Sequence, residues 1–265
     1  MSFDCFDYNL VPIDNLPNWQ QQRSFLYGDG HFTTIKVVHH SPQFVDMHLD
    51  RLKTANERLY IASLNWPALE AVISEKADEI VSGYLRVHIS RGAGGRGYGG
   101  VSKLTPFVFI SSGTWNENAM LAPFELDVAR FSLSHNVNLA GLKHNNRLEQ
   151  VLIAAELEQA GRTDALVTDI EGNVIETSKA NLFWSDGDNW FTPSLERCGV
   201  AGVIRSLILA NNPKVRVGNF QLENVLAECR SMLVCNSLML VRPVAMLAGN
   251  EQDVHRINEL NLDFI

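Results

Sequence analysis

Cysteine is scarce in this chain and never closely paired: Cys5, Cys198, Cys229 and Cys235 are the 4 among 265 residues, and none stands in a Cys-x-x-Cys spacing. That excludes a disulfide framework and a thiolate metal cluster, and it leads us to expect a reducing cytoplasm as the location. Basic residues are also few. With 22 Lys and Arg against 30 Asp and Glu, the formal net charge is -8. No broad positive surface is therefore expected for nucleic acid or an anionic membrane, and any arginine that binds an anion must act locally. No apolar run approaches the roughly 18 residues of a membrane-spanning helix, and no charged region followed by an apolar one opens the sequence. The 8 histidines form no i, i+4 pair beside an acid, so no metal site is expected. A Gly-x-Ser-x-Gly elbow is missing, and Ser90 and Ser237 stand beside no visible base, which argues against serine nucleophiles.

What is present suits a folded enzyme. Hydrophobic residues make up 46% of the chain, enough for one large or two smaller cores. Alternating patterns predict strands over 31–38, 43–46, 84–90 and 105–111, with a hairpin turn at His39-His40-Ser41-Pro42. Helical periodicity predicts one helix over 47–61, with Leu49, Leu52, Asn56 and Leu59 on one stripe and Arg51 off it. A second begins at Asn65-Trp66-Pro67, where Asn caps and Pro fits the first turn, and stops by Gly83. The Gly-, Asn- and Ser-rich stretch that follows reads as a linker, residues 113–122, between domains 1–112 and 123–265. The second domain is predicted to hold a strand over 124–132 and a helix over 145–160 that ends at Gly161. Short strands follow at 164–169, 173–177, 181–185 and 190–192, then helices at 203–210 and 221–228, strands at 231–235 and 239–245, and a last helix over 254–260.

Three segments carry chemistry. Lys143 lies in Leu139-Ala140-Gly141-Leu142-Lys143-His144-Asn145-Asn146-Arg147, just before a helical run, where a helix dipole would set a positive field near the amine. Taken singly it reads as an ordinary solvated lysine, and His144 beside it as a structural histidine. Glu176 closes a predicted strand, where a carboxylate can face water or can hydrogen-bond a protonated pyridine nitrogen. Gly199-Val200-Ala201-Gly202 opens a helix whose first N–H groups suit a phosphate, although a glycine before a helix is often only a turn. A fourth segment, Gly92-Ala93-Gly94-Gly95-Arg96-Gly97, fits the G-x-G-x-x-G pattern of dinucleotide-binding proteins. Too few residues separate it from the strand at Thr105 for a crossover helix, so a hairpin loop is expected. Arg91 and Arg96 on that loop can pair with substrate carboxylates or stand as solvated arginines.

Together these residues resemble the class IV aminotransferase family, the fold type IV pyridoxal phosphate enzymes. The signature reads Glu176, Ser178, Asn181-Leu182-Phe183, Thr192 and Val200-Ala201-Gly202-Val203-Ile204-Arg205, with Trp190 where a smaller aliphatic is usual. The segments from Phe25 to Thr34 and His48-Leu49-Asp50-Arg51-Leu52 are similar to the family's N-terminal strand entry and phosphate-arginine helix. The resemblance implies an α+β fold of two domains with pyridoxal 5'-phosphate in the interdomain cleft, and the Schiff-base lysine in the larger C-terminal domain. It also implies a homodimer acting on a small-molecule substrate. By its terms Lys143 is catalytic and holds the cofactor, Glu176 meets the pyridine nitrogen, and Arg51, Val203, Ile204 and Ser237 hold the phosphate, with Asn181 ordering the site. Keeping both Lys143 and Glu176 argues against a binder that lost its chemistry. The Arg91-to-Tyr98 loop, the Cys235-Asn236-Ser237-Leu238 run, and Leu148 in place of a tyrosine resemble the family's lyases. A carbon–oxygen lyase is thus the expected activity, with a D-amino acid or branched-chain aminotransferase as the alternative.

Overall fold

A computed structural model describes residues 2–13, 19–115 and 124–264. The chain divides into two compact units. The first is 1–116 together with Lys143–Asn146, and the second is 117–142 together with 147–265.

In the first unit, β1 (Ser2–Phe6), a short helix α1 (Arg23–Tyr27), β2 (Gly30–Val38) and β3 (Ser41–Pro42) precede two longer helices, α2 (Val45–Arg58) and α3 (Trp66–Asp78); β4 (Ser82–Ser90) and β5 (Phe107–Thr114) complete it. The five strands form one sheet in the order β1-β5-β4-β2-β3. Alternation on β2 and β4 turns Ile35, Val37, Leu85, Val87 and Ile89 inward, against Leu49 and Leu52 of α2 and Leu69, Ile73 and Ala77 of α3. Asn65 caps α3 as the sequence predicts, its Oδ1 accepting from the Ala68 N–H at 3.2 Å with Pro67 in the first turn. The predicted strand over 43–46 is displaced. Instead β3 pairs with β2 across a two-residue turn, Val38 opposite Ser41, because His39 and His40 both adopt left-handed φ of 47° and 63°. Phe44, also left-handed, then starts α2.

The second unit follows as β6 (Phe124–Val128), α4 (Leu148–Gln159), β7 (Ala165–Thr168), β8 (Val174–Thr177), β9 (Asn181–Ser185), β10 (Trp190–Pro193), α5 (Val203–Asn211), β11 (Arg216–Gly218), α6 (Leu222–Glu228), β12 (Ser231–Asn236), β13 (Leu240–Leu247) and β14 (Asn250–Glu251). Eight of its strands run in the order β11-β10-β9-β12-β13-β6-β7-β8, and β14 pairs with β13. One side of the sheet is packed with Leu182, Trp184, Phe191, Met232 and Val234, together with Val225 of α6; a second cluster joins Ile153 and Leu157 of α4 to Ala165, Val167 and Ile175. The last predicted helix is only a 3-10 turn at Arg256–Glu259.

Two boundaries shift from expectation. Gly113 and Thr114 of the expected linker belong to β5, and residues 116–122 lie outside those described. Lys143 groups with the first unit, contrary to the expectation that it belongs to the C-terminal domain. The reason is backbone pairing: the Phe32 N–H donates to the Lys143 carbonyl at 3.0 Å, the Asn145 N–H to the Gly30 carbonyl at 2.9 Å, and His31 bridges to His144.

Candidate active site

In the second unit the signature residues converge on the segment 199–202. Glu176, near the end of β8, is only 6% exposed, and its Oε2 accepts from the Val200 N–H at 2.9 Å. Asn181, the first residue of β9, grips the next turn from both sides. Its Oδ1 accepts from the Gly202 N–H at 3.0 Å while its Nδ2 donates to the Val200 carbonyl at 2.8 Å. Gly202 has to be glycine, since a Cβ there would lie 2.2 Å from Asn181 Oδ1. Val203 and Ile204 then open α5, a start that no side chain among the described residues caps. Arg205, two residues into α5, ties the helix to β10, with Nε donating to Thr192 Oγ1 at 3.3 Å and Nη2 to the Pro193 carbonyl at 2.8 Å. The segment is also paired to the chain ahead of the lysine. The Gly141 N–H donates to the Gly199 carbonyl and the Ala201 N–H to the Gly141 carbonyl, each at 3.0 Å. Ser237 sits in the turn from β12 to β13, which Asn236 closes by accepting from the Leu238 and Met239 N–H groups at 3.0 and 2.9 Å.

In the first unit Lys143 Nζ stands 5.1 Å from the centroid of Phe32, and the Arg86 guanidinium lies 4.2 Å from the same ring. His88 stacks on Phe32 at 4.9 Å. Two cations on one aromatic ring make an anion-seeking surface, since the ring stabilises positive charge without neutralising it. Arg86 projects from β4, burial pulls its pKa below the usual arginine range, and its buried Nε has no hydrogen-bond partner among the described residues. Sequence reasoning missed it, because in the alternating pattern of β4 an arginine between Leu85 and Val87 falls where a solvent-facing polar residue is expected. Arg51 projects from α2 beside two buried imidazoles. Burial, and then the Arg51 charge, hold His48 at about 3; burial likewise brings His31 to about 4, despite the hydrogen bond that its Nε2 donates to Asn56 and with a further push from Arg51. His31 Nε2 contacts Asn56 Oδ1 and His48 Nδ1 contacts Thr33 Oγ1, both at 2.6 Å. Both imidazoles beside Arg51 are therefore neutral near pH 7.

The loop arginines separate. Arg96 is exposed. Arg91, expected with it to meet a substrate carboxylate, is instead 7% exposed and bound to its own chain. Its Nε donates to Asp29 at 2.8 and 2.9 Å, Nη1 to the Tyr60 carbonyl at 2.6 Å and Nη2 to the Leu59 carbonyl at 2.5 Å. Asp29 also accepts from Arg23 Nε at 2.7 Å, and Arg23 reaches the carbonyls of Gly97 and Tyr98. The G-x-G-x-x-G segment is a hairpin connection, because β4 and β5 pair antiparallel from Ser90 opposite Phe107 to Gly83 opposite Thr114.

One set of potential metal ligands gathers among the described residues: His135, Asp169 and Cys198 have ligand atoms within 4.8 Å of one another. Asp169 already accepts from His135 at 3.0 Å and from the backbone N–H groups of Glu171 and Asn173, which accounts for the cluster as a turn lock.

A pyridoxal cofactor brings an aldehyde, a ring nitrogen that works best protonated, and a phosphate. The residues present fit it: an amine on an aromatic face, a buried carboxylate held by a backbone donor, and an uncapped helix start at a glycine that tolerates no side chain. The match extends to sequence. A model of the amino-transferase class IV family matches residues 30–247, and the chain belongs to that family. It is 36% identical over 261 residues to an aminodeoxychorismate lyase of Vibrio harveyi, covering 94% of this chain and 93% of that one. Its fold is similar to the crystal structure of 4-amino-4-deoxychorismate lyase from Pseudomonas aeruginosa, with a TM-score of 0.84, 30% identity, and coverage of 94% and 93%. A PLP-bound hypothetical aminotransferase from Mycobacterium tuberculosis shares the fold, with a TM-score of 0.78 at 14% identity over 97% and 95% of the two chains.

Proposed function

We propose that this chain is a pyridoxal 5'-phosphate-dependent aminodeoxychorismate lyase, a carbon–oxygen lyase that converts 4-amino-4-deoxychorismate to 4-aminobenzoate and pyruvate on the route to folate. Glu176 is the observation that carries the cofactor part of the reading. A buried carboxylate locked by the Val200 N–H is what a protonated ring nitrogen requires. The likeness to lyases along nearly the whole chain supports the reaction.

Bound pyridoxal phosphate supplies an electron sink for the carbon bearing the substrate's amine. Lys143 would hold the cofactor, and its Nζ would carry the proton from C4 of the substrate to the departing enolpyruvyl group as the C3–O bond breaks and the ring becomes aromatic. Arg51 binds the phosphate together with the first N–H groups of α5 at Val203 and Ile204, while Ser237 supplies a hydroxyl and Asn181 holds the glycine turn in shape. Arg96 and Arg86 meet the substrate's carboxylates, and Arg91 braces the loop that carries Arg96. We propose a homodimer in the cytoplasm. An unpaired apolar stripe on α4, where Leu148, Val151 and Leu152 are 71%, 58% and 44% exposed, supports the former. Buried free thiols at Cys198, Cys229 and Cys235 support the latter.

The test is a turnover assay. Given aminodeoxychorismate and no keto acid, the cofactor-loaded protein should release 4-aminobenzoate and pyruvate in equal amounts over many turnovers. Lys143→Ala should abolish both the activity and the cofactor mass fixed by borohydride. Rapid transamination of D-alanine or a branched-chain amino acid with no aromatic product would overturn the lyase reading.

A further inference from the structure

Arg147 has no part in the chemistry described so far, yet its guanidinium supports the backbone that leads into the lysine. It is the N-cap residue of α4, four positions after Lys143, and it turns back to donate from Nη2 to the Leu142 carbonyl at 2.9 Å. Leu142 is itself 5% exposed and is the residue bonded to Lys143. One residue further back, Gly141 is paired with Val200, and the Val200 N–H is the donor that locks Glu176. A short continuous path therefore runs from the Arg147 guanidinium through Leu142, Gly141 and Val200 to the Glu176 carboxylate.

We propose that Arg147 is a positioning residue, which fixes the backbone entering Lys143 and couples it, through the pairing of Gly141 with Val200, to the placement of Glu176. The inference rests on the pyridoxal phosphate reading given above. Burial works against the Arg147 charge, while the charges of Glu176 first and Glu149 second favour it. Both acids thus lie within electrostatic reach. An arginine suits the place better than a lysine would. Its planar fork can hold a carbonyl in a fixed direction while its charge is shared with an acid, whereas an ammonium is a single point on a flexible stem.

Arg147→Met and Arg147→Lys test this, each made alone and in the Glu176→Gln background, with cofactor affinity, kcat, KM and the unfolding temperature of the cofactor-free protein read separately. Arg147→Met should lower kcat by roughly ten- to hundredfold, the range of one charge-assisted hydrogen bond, and weaken cofactor binding, with KM changed less than about threefold. Arg147→Lys should restore only part of the loss. In the Glu176→Gln background Arg147→Met should cost less than its effect alone, because the coupling has already lost its far end. Full multiplication of the two effects, or an unfolding temperature that drops while kcat and cofactor affinity stay at wild-type values, would overturn the proposal. If Arg147→Met fails to fold, Arg147→Lys decides: its loss must shrink in the Glu176→Gln background. Wild-type protein that fixes no cofactor on Lys143 would overturn the underlying reading along with this one, whereas normal wild-type loading with an indifferent Arg147→Met overturns this one alone.

Discussion

Arg91→Met should damage the fold rather than substrate binding. The substitution keeps most of the stem volume and deletes the guanidinium, which donates to Asp29, to the Leu59 carbonyl and to the Tyr60 carbonyl. A hydrogen bond to a charged group contributes about 1.5–3 kcal/mol, but the three do not simply add. Asp29 keeps Arg23 at 2.7 Å, and water can reach the Tyr60 backbone, whose residue is 86% exposed. What remains is the loss of one charge-assisted contact in a part-buried network, for which about 1.5–3 kcal/mol is expected. Against a total stability of about 5–15 kcal/mol, that is a large share, and it falls on the first unit. Urea unfolding followed by amide exchange in β2, β4 and α2 is the assay, because the two units need not unfold as one. Unfolding of Arg91→Met at the wild-type urea concentration together with a raised KM would refute this, since Arg91 would then be a substrate ligand.

Acid should unfold the first unit before the second. His31 and His48 are held neutral, at about 4 and about 3, whereas in the unfolded chain they protonate near 6.5. The unfolded state therefore binds more protons between those values, and stability is complete above about pH 6.5 and falls as pH drops towards 4, by about 1.4 kcal/mol per pH unit for each ring. A urea midpoint in the β2 and α2 peptides that does not move between pH 7 and pH 5 would refute this. Gly202→Ala should weaken cofactor binding by at least tenfold, because its Cβ would be placed 2.2 Å from Asn181 Oδ1; calorimetric titration with pyridoxal phosphate checks it, and unchanged affinity would place the phosphate elsewhere.

Much of the fold was legible because its signals are local. The α3 cap, the extents of β8, β9 and β10, and the start of α5 follow from a capping Asn, turn glycines and short apolar runs. The misses are tertiary. Strands β1 and β11 lack a strong pattern of their own and exist because β5 and β10 offer edges to pair with. Residues 145–147 were expected to be helical, but the Asn145 N–H is drawn to the Gly30 carbonyl and α4 begins only at Leu148. The family signature was legible in its residue types, which is why Lys143, Glu176 and Asn181 could be named as candidates. The different fates of Arg91 and Arg96 could not be read from one loop sequence, since they turn on Asp29, 62 positions away from Arg91.

Asp29 gives the first unit a further property. One carboxylate faces two guanidiniums, those of Arg23 and Arg91, so this part-buried triad carries a surplus of one positive charge. The same unit holds Arg51 and Arg86, in a protein whose overall charge is -8. Such a local positive field within an acidic molecule acts at a distance, before any contact forms. A field of that kind would speed the approach of a dianionic substrate, so salt should slow capture at low substrate concentration and leave the rate at saturation untouched.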